Sequence, residues 1–276
     1  MTEDMLAMIS HPDPPGFDPL NLDHILCGLK TRWLGRDLRL YTRVGSTNDI
    51  ARSLAQRGTR NAVILAETQS EGRGRLSRSW ESPRGGIWMS LILQPDIPIT
   101  HAFRINMAVC VAACRAISSL LDIDAGIKWP NDLLINERKV GGILIEIGSD
   151  GLHLDYAIVG LGINANIDTS AFPPEWMASS LSYELGQEIS LSRLIQRLLL
   201  ELEEANERIA RDEIYQEWRQ RSITLGRMVR ITSNSGELVG VVEDLADDGA
   251  ILLRTDGKLV RVLAGDCIHL RGVEGT

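Results

Sequence analysis

The sequence predicts an α+β chain in two parts: a larger unit mixing strands with helices, then a small C-terminal β-barrel of the SH3-like kind. Three observations predict it. Its 276 residues are enough for one large domain and one small one. Up to residue 225, short apolar runs of strand type mix with segments of helical period. From residue 226 onward, five short strand-like runs follow one another, separated by Gly, Asp and Asn turns. The chain is therefore divided into an N-terminal extension (1–36), a main domain (37–225) and a C-terminal module (226–276).

Residues 1–20 are proline-rich with little periodicity, which predicts poor order. Residues 21–35 can hold one short helix, too little for a helix-turn-helix domain. LRLYTRV from residue 38 reads as a strand, and Ser46 or Thr47 can cap a helix, NDIARSLAQR, that ends at Gly58. AVILAET (62–68) and GIWMSLIL (86–93) are strands. Residues 102–121 give the clearest helix, with Ile105, Ala108, Val109, Ala112, Ala116, Ile117 and Leu120 on one side. GIKW, LLI, KVGGILIEIG and LHLDYAIVGLGIN add four strands, with a hairpin at Asn136-Glu137-Arg138 and a tight turn at SDG (149–151). One long amphipathic helix is expected over 191–219, burying Leu194, Leu198, Leu202, Ile209 and Trp218. MVRITS, ELVGVVEDL, AILLRT, KLVRVL and CIHL are the five strands of the module.

A net charge of −8 argues against a broad nucleic-acid-binding face, so local basic clusters are expected to serve a smaller anion. No apolar run reads as long enough to span a membrane, and the acidic start lacks the basic flank of a signal peptide; a cytoplasmic protein without membrane contact is expected. Cys110 and Cys114 share a helix face amid apolar neighbours, which reads as core packing ahead of a zinc site. No His stands at triad spacing to a Ser or Cys.

The densest chemistry lies in EGRGRLSRSW (71–80), with Arg73, Arg75 and Arg78 around Gly72 and Gly74. Glycines let the backbone wrap a ligand, and guanidinium forks suit carboxylate and phosphate together. A solvated surface loop is the competing reading. Gly160-Leu161-Gly162 resembles a dinucleotide fingerprint, but no helix follows it. Lys128-Trp129-Pro130-Asn131-Asp132 and Lys139-Val140-Gly141-Gly142 flank the hairpin, which should bring two lysines, an amide and a carboxylate to one end of a sheet. Asp132 could hold Mg²⁺ on a nucleotide or pair with Lys128 or Lys139; Trp129 reads as packing. Ser46 and Thr47 read as helix caps or as ligand contacts at a helix N-terminus.

Taken in order, GSTND (45–49), AETQSEGRGRLSRSW (66–80), KWPNDLL (128–134), KVGGILIE (139–146) and VGLGIN (159–164) resemble the biotin protein ligases, in a form without the DNA-binding domain some members carry. The resemblance is dense over about 40–165 and looser over 226–272. It implies a mixed sheet with helices on one side, related to class II aminoacyl-tRNA synthetases. It implies two steps: biotin's carboxylate attacks the α-phosphate of ATP to give biotinyl-5′-AMP, and a lysine of a biotin carboxyl carrier protein then takes the acyl group.

Carried over by position, the biotin site implied is Ser46, Thr47, Asn48, Gln69, Gly72, Arg73, Gly74, Arg75, Trp80, Lys139, Gly142 and Gly160. The ATP site implied is Arg75, Arg78, Lys128, Asn131, Asp132, Lys139 and Asn164, with Asp132 holding Mg²⁺ through the phosphates and Asn164 reading adenine. Lys139, Arg73 and Arg75 are the implied catalytic residues. Gly142 and Gly160 would let backbone approach the ligand. The family's glycine loop often reads GRGRRGR, so Leu76, Ser77 and Glu71 are departures. A lipoate–protein ligase-like enzyme and a non-catalytic biotin or nucleotide sensor are the alternatives. No DNA partner is expected, and the protein would act as a monomer or homodimer. The loop 71–80 is expected to be mobile without ligand, its three arginines lacking any anion between them.

Overall fold

The computed structural model describes residues 20–149, 153–233 and 236–270. The expectations for 1–19 and for most of the turn at 149–151 lie outside the described residues.

Seven strands build the main sheet: β1 (Asp37–Val44), β2 (Ala62–Gln69), β3 (Ile87–Leu93), β4 (Gly126–Lys128), β5 (Asp132–Ile135), β6 (Arg138–Ser149) and β7 (Leu154–Ile163). Their order is β1-β2-β3-β7-β6-β5-β4, with β1 and β2 parallel and every other pair antiparallel. The sheet is mixed, as expected. β5 and β6 are joined by Asn136 and Glu137, both at positive φ (50° and 63°), the left-handed pair that a two-residue hairpin turn requires. That tight turn fixes Asp132 opposite Gly142. β4 reaches β5 through Trp129-Pro130-Asn131, with a cis peptide before Pro130.

Side-chain alternation along the strands divides the sheet into two faces. Val63, Leu65, Leu91, Leu93 and Val159 face a thick helical layer: α1 (Leu22–Cys27), α3 (Phe103–Leu121), α5 (Leu191–Glu207) and α6 (Asp212–Gln220). Ile64, Ile92 and Ile158 face the other way and pack on Ala51 and Ala55 of α2 (Thr47–Gln56). This corrects the one-sided helical layer implied by resemblance: α2 covers part of the opposite face and leaves the rest open for a site. A sixth, short helix, α4 (Leu181–Leu185), follows the loop after β7.

Two further expectations change. The window Ile99–Leu121 is long and apolar enough to cross a membrane by length and composition, contrary to the sequence reading. It is 72% buried, however, packed as the central core helix against α5 and α6. The single helix over 191–219 is two helices. An unbroken apolar stripe through Leu194, Leu198, Leu202 and Ile209 would next reach Asp212, Glu213 and Gln216. The break at 208–211 resets the phase, so Ile214 and Trp218 are buried while Asp212 and Glu213 occupy the first turn of α6, where the helix dipole favours acids. Truncating fully buried Leu198 to Ala would cost about 2–5 kcal/mol.

Residues 20–36 are not a loose extension. Leu20, Ile25 and Leu34 are buried in the main core, and Glu203 accepts the backbone N–H groups of Arg32, Trp33 and Leu34 at 2.8–2.9 Å.

Strands β8 (Met228–Ser233), β9 (Gly236–Leu245), β10 (Ile251–Thr255), β11 (Lys258–Val262) and β12 (Asp266–His269) form an antiparallel sheet in the order β11-β10-β9-β8-β12. Strand number and turns fit the SH3-like expectation. The sheet is not closed by hydrogen bonds, because the link 263–265 carries the chain to the free edge of β8, and β12 pairs there. The two sheets share one hydrophobic core: Trp129 donates to Gly249 O at 2.8 Å and Tyr215 donates to Leu245 O at 2.8 Å.

Candidate active site

A cavity of about 760 Å³ lies on the open face of the main sheet and is walled on one side by β12 of the module. The start of α2, the loop 71–80, strands β3, β6 and β7, the turn 128–132 and the segment 172–178 supply its other walls. Every residue assigned from sequence to the biotin or ATP site lines it except Gly72, which sits immediately behind.

The floor is polar and internally hydrogen bonded. Thr47 donates its backbone N–H to Gln69 Oε1 at 2.9 Å, and Thr47 Oγ1 lies 3.0 Å from the same oxygen. Gln69 Nε2 donates to Ser82 Oγ at 2.8 Å. Ser90 Oγ lies 2.7 Å from Thr47 Oγ1 and 2.6 Å from Asn48 Oδ1. Ser46 stands at the N-cap of α2, yet its side chain makes no capping hydrogen bond, which weakens the structural reading of that residue. A Cβ on Gly160 would lie 2.5 Å from Asn48 Oδ1, and one on Gly162 would lie 2.8 Å from Trp80 Nε1. The Asn48 carboxamide fills the space a side chain at Gly160 would need, while the Gly160 backbone lines the cavity. Gly142 likewise accommodates the Trp80 ring.

The roof is the loop 71–80, a short hairpin in which Gly74 N–H donates to Arg78 O and Trp80 N–H donates to Gly72 O. Leu76 and Ser77 sit at its tip at φ 54° and 58°. Its arginines are not all without anions, which corrects the sequence expectation. Arg73 forks onto Asp49 at 2.7 and 2.5 Å, and Arg78 forks onto Asp266 of β12 at 3.0 and 2.6 Å. Hydrogen bonding to Arg73 holds the Asp49 carboxyl below its usual range. Arg75 differs. Among the described residues it donates only to the neutral oxygens of Asn131 (3.4 Å) and Gly265 (3.3 Å), and burial pulls its guanidinium below its ordinary value against the attraction of Asp132 and Asp266. A half-buried cation whose hydrogen bonds go to neutral acceptors is a place where an anion is stabilised.

Lys139 lies beyond Arg75 on β6. Its Nζ is 2.7 Å from Asp132 Oδ1 and 4.9 Å from the centre of the Trp80 ring. The hairpin thus brings Lys128, Asn131, Asp132 and Lys139 to one end of the cavity, as read from sequence. Asn131 is committed elsewhere: its Nδ2 donates to Ile143 O and its Oδ1 faces Arg75. It shapes the turn and orients Arg75 while lining the cavity. Asn164 Nδ2 donates to Ser179 O at 3.0 Å, tying β7 to the segment 177–181. Trp129 is 1% exposed and is packing, as read. Burial raises the Cys110 and Cys114 thiols, the latter to about 12, in keeping with core roles. Among the described residues no group of three His, Cys, Asp or Glu is placed to hold a metal.

Sequence reading missed Asp49, Ser90, Glu146 and Asp266, along with Phe172 and Trp176, whose rings are 5.7 Å apart on the cavity wall. Ser90 had a signal: it is a hydroxyl within an otherwise apolar strand, IWMSLIL.

The profile of the Biotin/lipoate A/B protein ligase family matches residues 40–164, and that of the biotin protein ligase C terminal domain matches 224–270. The biotin--[acetyl-CoA-carboxylase] ligase of Mycobacterium tuberculosis is 32% identical over 268 residues, covering 93% of this chain and 97% of that protein. The chain belongs to the biotin/lipoate A/B protein ligase family. This ligase is also 34% identical over 258 residues to the bifunctional ligase/repressor BirA of Bacillus subtilis, covering 90% of this chain and 78% of that one. Among solved structures, the Aquifex aeolicus biotin protein ligase in complex with biotin and ATP superposes with a TM-score of 0.73 at 25% identity, over 86% of this chain and all of the other. The ligase fold thus extends through the C-terminal module.

Proposed function

We propose that this ligase uses ATP to form biotinyl-5′-AMP from biotin and then transfers the biotinyl group to a lysine of a biotin carboxyl carrier domain. The observation that carries this reading is Arg75, a half-buried cation between a polar floor and the Lys139–Asp132 pair, whose hydrogen bonds among the described residues go to neutral oxygens. Two anions must meet for adenylation, and their repulsion has to be cancelled where water is excluded. In the first step a biotin carboxylate oxygen bonds to the α-phosphorus and the bond to pyrophosphate breaks. Arg73 and Arg75 hold the carboxylate and Lys139 neutralises the α-phosphate. In the second step the neutral amine of the carrier lysine bonds to the acyl carbon, AMP leaves, and the ammonium proton passes to solvent.

Thr47, Gln69 and Ser46 form the proposed contacts to the ureido ring, with Trp80 beside it. Lys128 and Arg78 approach the phosphates, and Phe172, Trp176 and Asn164 surround the base. Mg²⁺ fits as a phosphate-borne ion. Asp132 supplies one carboxylate, too few to retain the ion without nucleotide oxygens. Bound there, the ion would screen phosphate charge.

The hydrogen-bonding floor supports biotin over lipoate, whose ring has no N–H to offer. The same division at 36 and 225 is proposed for function, with residues 20–36 serving the main domain as a packed brace. The net charge of −8 supports an enzyme acting without DNA or membrane; a cytoplasmic location and a monomeric or homodimeric state complete the proposal. Incubation with biotin, ATP, Mg²⁺ and a purified carrier domain should add one biotinyl group to the carrier. Transfer of lipoyl with no transfer of biotinyl would overturn the reading.

A further inference from the structure

Behind the cavity floor lies a chain of polar groups with no assigned role. Ser90 is fully buried, yet its hydroxyl touches two oxygens, Asn48 Oδ1 at 2.6 Å and Thr47 Oγ1 at 2.7 Å. It has one proton to give. Asn48 Nδ2 donates to Glu146 Oε2 at 3.2 Å, and an ionised carboxylate only accepts, so the carboxamide cannot be flipped. Its Oδ1 therefore faces Ser90 as an acceptor and takes the Ser90 proton. The short contact between Ser90 and Thr47 then requires the Thr47 proton. Gln69 Oε1, with a second lone pair 3.0 Å away, is the other acceptor within reach of that proton; Ser90 Oγ at 2.7 Å is the closer one, and both hold the proton inside the floor. With its proton spent inward, Thr47 Oγ1 turns lone pairs toward the cavity it lines. Arg52 fixes the far end, with its Nη2 2.6 Å from both Glu146 oxygens and its Nη1 2.6 Å from Asp49 Oδ1.

We infer that Glu146, Asn48 and Ser90 are positioning residues that set the direction of this chain. They make Thr47 an obligate acceptor and so select a ligand ring that donates N–H. The inference rests on the biotin reading above and deepens it: of the two ends of a ureido, this corner of the floor is built for an N–H and rejects the carbonyl. Neither Ser90 nor Glu146 lines the cavity, so each acts only through Thr47 and Asn48. Breaking the chain at Ser90 removes the closer of the two inward acceptors of the Thr47 proton and leaves only Gln69 Oε1, so the hydroxyl donates outward more readily and the corner's preference weakens.

The test is direct binding, without ATP, of biotin and of its two mono-N-methyl derivatives to the full-length wild-type protein and to Ser90→Ala. Wild type should bind biotin and reject at least one N-methyl derivative. Ser90→Ala should bind biotin about tenfold more weakly, the scale of one buried hydrogen bond. Its preference for biotin over that derivative should shrink by a similar factor, while its KM for ATP in pyrophosphate exchange stays unchanged. Equal weakening of biotin and both derivatives, or unchanged affinity for all three, would overturn the relay. Should Ser90→Ala fail to fold, Glu146→Ala breaks the same chain from its partly exposed end, and the same ratio decides. Failure of wild-type protein to bind biotin at all would instead defeat the biotin reading.

Discussion

The floor and the roof of the cavity are held in different ways. Thr47, Asn48, Gln69 and Ser90 hold one another by neutral hydrogen bonds on rigid elements, α2 and strands β2 and β3. The loop above them is held by ion pairs, Arg73 to Asp49 and Arg78 to Asp266, whose carboxylates occupy positions that substrate anions can contest. These pairs are partly exposed, so each contributes little to stability and gives way readily. The floor is suited to selecting a ring, and the roof to exchanging one anion for another.

The largest expected effect lies where the two meet. Lys139→Ala should slow adenylate formation by about 100- to 1,000-fold, the loss of roughly 2.7–4 kcal/mol of charge stabilisation, with little change in melting temperature. Pyrophosphate exchange at near wild-type rate would remove Lys139 from the chemistry and leave the roof to act alone.

Next comes exchangeability itself. Biotin with ATP should protect Arg73, Arg75 and Arg78 from trypsin about tenfold, as an opening cost of some 1.4 kcal/mol implies. ATP alone should protect less, and Asp266→Ala should raise cleavage in the free protein by unlatching Arg78. Equal cleavage under all conditions would make the roof as fixed as the floor.

A smaller effect concerns pH at the wall. His269, 3.0 Å from Thr224 Oγ1, is pushed down to about 4 by burial and by Lys128 and Arg227. A folded value below the unfolded one of about 6.5 favours the folded state at high pH. That stabilisation is complete above pH 6.5 and is lost as pH falls toward 4. Denaturant titrations across this window should show the decline, and His269→Gln should flatten it. A His269→Gln profile identical to wild type would assign the decline elsewhere.

The smallest is Ser77→Gly. Ser77 stands at φ 58°, a region costing a side chain about 1 kcal/mol or more, where related ligases often have glycine. The variant should raise the denaturation midpoint slightly, and a lowered midpoint would mean that loop entropy outweighs strain.

Most strands were legible because alternation and apolar runs are local signals, and the hairpin at Asn136 carried its own turn chemistry. The cavity residues were legible as motifs through resemblance. What stayed hidden depends on distance along the chain. Arg78 meets a carboxylate 188 residues away, so its partner has no local signature. The break between α5 and α6 was recoverable in principle, since Asp212, Glu213 and Gln216 interrupt the stripe, but helical propensity runs through it. The side of the sheet that α2 covers is set by strand parity and becomes visible only once register is known.

The wall supplied by β12 gives the enzyme a temporal order of assembly. Strands and helix forming the floor end by Asn164, whereas Gly265 and Asp266, which hold Arg75 and Arg78, lie roughly 100 residues later. At about 5–20 residues per second, the floor's own elements are made some 5–20 seconds before the latch, and the helices α5 and α6 that back them about 2–9 seconds before it. A ribosome-bound or truncated chain can then offer a pocket for the ring while lacking the contacts that seat the arginines. A chain cut short before Gly265 should therefore adenylate poorly while still binding the ring.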